Sequence, residues 1–329
     1  MTRIRLAVAG WRVAAAAVLV GCLCRATETE NLDLQIVPRP GTVTIDGQVG
    51  DWDLSAGIFA CGDVENQRDK YAVWFHAMWD AENLYLLARW MDLTPLNNPG
   101  SVKGDYGFTG DCLQVRVLTA PADKLAAAAT RGSPQQDPGP DHPGTRTSHI
   151  TAWRDRDGIA VLKIDWGQKF NEGSADAAEK GGRQAFTVWD DRRGYTQELS
   201  IPWALLSRDG WRPSAGAQVA LTVEPNFLTG AGSRLTIKDV FRPKVGIDRV
   251  FTFQGPNCWG FATLADSGRL APRPVRLRDG RVLLTGEGRS VVISTDGFEV
   301  EDAGSHVLAE GERLTALVSR GAACPHAAS

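Results

Sequence analysis

The chain has 329 residues, 43% of them hydrophobic and 23% charged, which is enough apolar material for a packed core and excludes a wholly disordered chain. A formal charge of −3 gives no support to a phosphate-tracking protein, so nucleic acid is not an expected partner. Its 35 glycines and 17 prolines point to many turns. Its 11 tryptophans point to stacking surfaces as well as core, because a buried indole N–H needs a partner.

Arg3, Arg5 and Arg12 precede or flank a short apolar run, Val13 to Val20, that ends in Gly21-Cys22. A basic start, a brief apolar middle and small residues at the end predict a secretory signal over 1–26, too short to span a bilayer. Leu19-Val20-Gly21-Cys22 resembles the bacterial lipobox, which implies acylation of Cys22 and a lipid anchor in the membrane. Cleavage after Ala26, giving a periplasmic or extracellular protein, is the alternative. Either route predicts export. Residues 27–40 read as a linker.

From Gly41 onward the dominant period is two. YAVWFHAMW (71–79) and LYLLARWM (84–91), joined by Asp80-Ala81-Glu82-Asn83, predict an aromatic-rich hairpin. Residues 111–118 alternate, with Leu113, Val115 and Val117 against Cys112, Gln114 and Arg116. Further strands are predicted at 149–154, 158–166, 184–189, 195–203, 218–227 and 249–253, with Asp157-Gly158 as a hairpin turn. Only Ala122 to Ala129 has a helix-like composition. Segments 97–110, 131–147 and 168–182 interrupt the pattern and read as loops. Ala271-Pro272-Arg273-Pro274 reads as a hinge, and 275–329 as a small β appendage or tail. Regular short strands with turn signals between them predict an all-β, antiparallel sandwich.

The six cysteines (Cys22, Cys24, Cys61, Cys112, Cys258 and Cys324) include no CxxC pair, and no histidine stands at zinc-ligand spacing from them. One disulfide among Cys61, Cys112 and Cys258 is allowed in an exported protein.

Five stretches in order carry a resemblance. TVTIDGQVGDWD (42–53), AMWDAENLYLLARWMD (77–92), GDCLQVRVL (110–118), QELSIPWALL (197–206) and RVFTFQGPNCWGFATL (249–264) are similar to successive motifs of family 9 carbohydrate-binding modules. The resemblance covers about 41–265 and implies a jelly-roll, DOMON-like sandwich. That wider superfamily includes both sugar binders and haem b domains such as the ethylbenzene dehydrogenase haem subunit, and SHITAWRDRDG (148–158) is faintly similar to the haem branch. It implies an oligo- or polysaccharide partner, calcium near Asp51, Asp105 and Asp111, or, in the alternative, haem b.

Strand parity gives the candidate contacts. The mixed parities hold Gln114 and Arg116; His149, Thr151 and Trp153; Thr187 and Trp189; Glu224 and Asn226. Gathered on one sheet face, they would offer flat rings flanked by hydrogen-bonding groups, the combination a sugar requires. The expectation is therefore stacking by Trp153 and Trp189 with polar contacts from Gln114, Arg116, His149 and Asn226. The competing expectations are that these rings finish the core and that Arg116 pairs with Glu224. Trp52, Trp79, Trp203 and Trp259 are expected to pack against strand ends, while Trp74 and Trp90 stay undecided between faces. A haem would need axial ligands, for which Met78 or Met91 on one side and His149 or Lys163 on the other are the candidates. The chain contains no nucleophile elbow, HExxH or phosphate-binding glycine loop, so the reading is a non-catalytic binder, with an adhesion or scaffold module as the further alternative.

Overall fold

The computed structural model describes residues 26–31, 34–100, 107–121, 147–167, 172–236, 259–271, 273–286, 289–294, 297–302 and 307–311. The strand predicted at 249–253, the helix-like stretch Ala122–Ala129 and most of the loop 131–147 lie outside the described residues.

The strands build an all-β sandwich from one long curled sheet. Its first leaf runs β10 (Arg183–Val188), β11 (Gly194–Pro202), β5 (Asn83–Asp92), β4 (Tyr71–Trp79) and β2 (Leu34–Pro38), with β3 (Ile58–Ala60) also paired to β4. Its second leaf runs β14 (Gly260–Leu264), β12 (Gln218–Leu228), β6 (Cys112–Thr119), β7 (Ser148–Arg154), β8 (Ala160–Trp166) and β9 (Ser174–Asp176), with β13 (Arg234–Thr236) beside β12. The β4–β5 hairpin closes where the sequence places it. There the Asp80 carboxylate accepts the backbone N–H groups of Glu82 and Asn83, both at 2.8 Å, an Asx turn that fixes the link. The Asp157-Gly158 turn also forms, with Gly158 at φ 86°, a region glycine reaches without steric cost.

The segment read as a linker is instead structural. Leu34–Ile36 pair in parallel with Ala262–Leu264 of the second leaf, and Val37–Pro38 pair in parallel with Met78–Trp79 of the first. β2 thus switches sheets in mid-strand and makes the sandwich corner. Leu34, Ile36 and Val37 are fully buried, which is the reason the segment is ordered. Thr29–Glu30 (β1) leave the sandwich and form the edge of a second sheet with β15 (Val275–Leu277), β16 (Val282–Gly286), β17 (Arg289–Ser294), β18 (Gly297–Asp302) and β19 (Val307–Gly311). This meander docks Val275, Leu277 and Leu283 onto Phe59, Cys61, Val64 and Ala72, and Arg281 ties it to Glu65 of the short helix α1 (Val64–Gln67).

Between the leaves lies one apolar core. It is built from Val73, Phe75, Leu84, Leu86 and Trp90 of the first leaf and Leu113, Val115, Ile150, Ile164, Leu221 and Val223 of the second. A glutamine pair crosses it near the open edge. Gln197 on β11 donates to the Ala152 carbonyl on β7 (3.2 Å) and to Gln184 Oε1 (2.9 Å), and it accepts from Trp90 Nε1 (3.1 Å). Gln184 in turn donates to the Val161 carbonyl on β8 at 3.0 Å. Trp52, Trp203 and Trp259 are buried and Trp79 packs on the core. Trp203 begins the short helix α2 (Trp203–Leu206), and its indole N–H donates to the Asp80 carbonyl. The thiols of Cys61 and Cys112 are buried and unpaired with each other, so no disulfide joins these two.

Candidate functional site on the second leaf

Strand register decides which side chains share a face. Across the second leaf one row reads Asp165, His149, Arg116, Thr222, and the next reads Asp176, Lys163, Thr151, Gln114, Glu224, with Asn226 opposite Cys112 beyond it. All of these turn away from the core, because the alternate residues Val115, Val117, Ile150, Ile164 and Val223 fill it. Gln114, Arg116, His149 and Asn226 are therefore brought together on one face. Thr151, Thr222, Glu224, Lys163 and Asp165 join them, and Asp165 in particular was readable from its shared parity with Lys163. Arg116 stands opposite Thr222 rather than Glu224, and Gln114 Nε2 donates to Glu224 Oε1 at 3.3 Å.

The face is polar and yet enclosed. None of Gln114, Arg116, His149, Thr151, Asp165, Thr222, Glu224 and Asn226 is more than 5% exposed. Asn226 is held at both ends of its amide, donating to the Glu224 carbonyl (3.3 Å) and accepting from Thr236 Oγ1 (2.8 Å). Lys163 Nζ lies 3.2 Å from Asp165 Oδ1. Burial holds His149 well below the usual imidazole range, helped by the charges of Arg116 and Lys163, so its ring is neutral. Among the described residues of this leaf's outer face, the buried atoms Thr151 Oγ1, Trp153 Nε1 and Asp165 Oδ2 have no hydrogen-bond partner. Buried polar groups are normally satisfied, so these mark hydrogen-bonding capacity held in reserve.

The two tryptophans expected to stack part company. Trp153 follows the polar row on β7, but it is 1% exposed and lies under the backbone of Gly107, where an added Cβ would come within 2.5 Å of the indole. It presents no open ring face for stacking. Trp189 follows β10 on the first leaf, so it does not share a face with His149 and Trp153. Its indole N–H donates to Thr196 Oγ1 at 3.1 Å and it remains half-buried.

The pairing proposed for haem iron fails on geometry. Met78 and Met91 project from the outer face of the first leaf, whereas His149 and Lys163 project from the outer face of the second. Two sheets and the core, layers about 10 Å apart, separate the sets, so no single iron meets one of each. The calcium candidates are likewise dispersed among the described residues. Asp51 accepts the Thr44 N–H beside Trp52, and Asp111, at the head of β6, already accepts the N–H groups of Asn97 (2.6 Å) and Leu228 (2.8 Å). Asp105 lies outside the described residues. Asp51 and Asp111 do not fit a shared cation.

An all-β sandwich with one enclosed polar face is thus the class of molecule this chain forms. No protein-family model and no curated protein matches it. Among solved structures it is similar to a family 9 carbohydrate-binding module from Caldicellulosiruptor kristjanssonii in complex with cellotriose, with 15% identity, 73% of this chain and 98% of that chain covered, and a TM-score of 0.42. The same module in complex with glucose gives 16% identity, 72% and 100% coverage and a TM-score of 0.41. A Bacteroides uniformis protein put forward as carbohydrate-binding gives 15%, 72% and 99%, and 0.45. The functional reading below rests on the face itself.

Proposed function

We propose that this chain is an exported binding protein that holds an oligo- or polysaccharide against the outer face of its second leaf and does not transform it. The observation that carries this reading is the enclosed row of hydrogen-bonding side chains with Thr151 Oγ1, Trp153 Nε1 and Asp165 Oδ2 left unpaired. A sugar ring offers several hydroxyls, each both donor and acceptor, and a fixed set of amide, carboxylate, hydroxyl and guanidinium groups is the complement they need. Gln114, Arg116, His149 and Asn226 supply polar contacts, joined by Thr151, Lys163, Asp165 and Glu224. Neutral His149 serves as one donor and one acceptor rather than as a charge. Trp153 contributes its indole N–H at the edge of the row. Acylation of Cys22 would hold the bound glycan at the membrane surface.

The test is a panel of neutral oligosaccharides titrated calorimetrically against the protein from Thr27 onward, with and without calcium. Wild type binds at least one of them. Gln114→Ala and Asn226→Ala weaken that binding about tenfold each, the value of one or two hydrogen bonds left unmade, while the far-ultraviolet spectrum is unchanged. Binding that is indifferent to both substitutions sinks this reading.

A further inference from the structure

The outer face of the first leaf carries a cation, Arg89, that no described residue neutralises. Register places Thr187, Thr196, Arg89, Trp74 and Phe59 in one row across β10, β11, β5, β4 and β3. Arg89 is half-buried, and it makes neither a hydrogen bond nor an ion pair with any described residue. Burial alone accounts for the lowering of its pKa, with no carboxylate raising it back. Along this face Glu198 stands one residue pair further on in the register. Its oxygens are already taken by the Trp52 indole N–H and the backbone N–H groups of Asp46 and Gly47. Arg208 shows the usual alternative: it pairs with Glu172 at 3.0 Å and lies 4.9 Å over the Trp166 ring.

In the strand register an aromatic residue stands on either side of Arg89: Trp74 directly opposite on β4, and Trp189 bonded to Thr196, its partner on β11. Trp74 is half-buried, braced by Phe59 (centroids 5.1 Å) and stacked with His76 (6.2 Å, 20°), and its indole N–H makes no hydrogen bond to a described residue. On the other side Trp189 folds back over β11. Its ring lies on Gly194, where a Cβ would come within 2.5 Å of Cζ3, and its N–H is spent on Thr196 Oγ1. A side chain at this position would meet the Trp90 carbonyl as well as the ring. Around this window the apolar cover of Trp52, Met78 and Leu87 closes one end and the docked C-terminal sheet the other.

The hydrogen-bond inventory is one-sided. Arg89 brings five N–H donors, Trp74 one, and Thr196 an O–H, with no uncommitted carboxylate in the row. We propose that this face is a second binding site, for a saccharide carrying an oxyanion, whose carboxylate or sulfate meets Arg89 while its ring packs beside Trp74 and Trp189. A planar guanidinium suits a two-oxygen anion, and partial desolvation strengthens the contact. The site lies on the opposite side of the sandwich from the polar face and stands independently of it.

Tryptophan fluorescence and calorimetry with trigalacturonate, its fully methyl-esterified form and a sulfated galactose oligomer test this. Trigalacturonate binds wild type, and the ester, which keeps the rings and removes the charge, binds about tenfold more weakly or less. Arg89→Gln loses about tenfold in trigalacturonate affinity, Arg89→Lys loses less, and raising salt from about 0.02 M to about 0.5 M weakens the wild-type complex. Tighter binding of the sulfated oligomer supports the site and assigns it to sulfate. Equal affinity for acid and ester, equal affinity of Arg89→Gln and wild type, or no binding of either anionic probe overturns the proposal. Should Arg89→Gln fail to fold, the acid-to-ester ratio in wild type and the Arg89→Lys variant decide.

Discussion

The two outer faces of this sandwich use the same strand geometry for opposite ends. On the second leaf the outward residues are polar, and they are enclosed: Arg116, Glu224, His149 and Asp165 sit at 0–3% exposure. On the first leaf the outward residues mix aromatic and apolar side chains with Arg89, Thr187, Thr196 and Glu198, and Trp74, Arg89, Met91 and Trp189 stay half-open. The lesson is that parity along a strand tells inside from outside but not which outside. A mixed parity contributes to a site only with its neighbours in register, and Trp189 has Thr196 and Arg89 for neighbours, not His149.

The contrast is broken most severely at the tryptophans. Trp153→Ala empties a fully enclosed site beneath Gly107 and should cost about 3–5 kcal/mol in denaturant unfolding, as large aromatic-to-alanine changes in cores do. Trp189→Ala removes a half-exposed ring and one hydrogen bond, and should cost about 1–2 kcal/mol. Equal losses would show that the two rings do not differ in burial.

A second comparison concerns charge rather than area. Asp92, at the end of β5, and Asp111 are buried side by side at one end of the sandwich. Asp92 Oδ2 has no hydrogen-bond donor of its own. Burial first, and then the charge of Asp92, push Asp111 up to about 9. The folded chain therefore keeps a proton that the unfolded chain releases. This contribution is full below about pH 4, the unfolded carboxylate value, and is lost as the pH rises through about 9. Melting temperature should fall across that window in wild type. Asp92→Asn, which removes the repulsion and can donate to Asp111, should flatten the fall. An Asp92→Asn profile that parallels wild type would contradict the shared proton.

The smallest expected effect sharpens the view of His76. Burial, and next the charge of Arg89, lower it to about 4, so its ring is neutral at physiological pH. Replacing Arg89 by Gln should raise the His76 value, read from its ring resonances, by less than about one pKa unit, since burial is the larger cause. A larger rise would mean that the arginine, not burial, sets it.

Much of this fold was legible in the chain. The 71–79 and 84–91 runs, the alternation at 111–118 and the Asp157-Gly158 turn each combine a period of two with explicit turn chemistry, and each forms a strand or turn within a residue or two of its expected place. β2 was not legible. Five residues flanked by polar groups and closed by Pro38 carry little pattern, and what fixes them is long-range pairing to strands from two leaves. The grouping of Gln114, Arg116, His149 and Asn226 followed from parity, and Asp165 shares its parity with Lys163, whereas the first-leaf row around Arg89 needed register. Arg89 itself reads as an ordinary solvated residue until its lack of a partner is visible in three dimensions.

The central claim is that a saccharide occupies the second leaf's outer face. The most direct measurement is the indole N–H spectrum of the uniformly nitrogen-15-labelled protein, assigned by single tryptophan substitutions, during titration with a neutral oligosaccharide that binds. The Trp153 N–H, unpaired in the unliganded chain, should shift progressively with ligand while the Trp74 and Trp189 signals stay in place. Movement of Trp74 and Trp189 with Trp153 unchanged would put the neutral sugar on the other leaf and contradict the assignment.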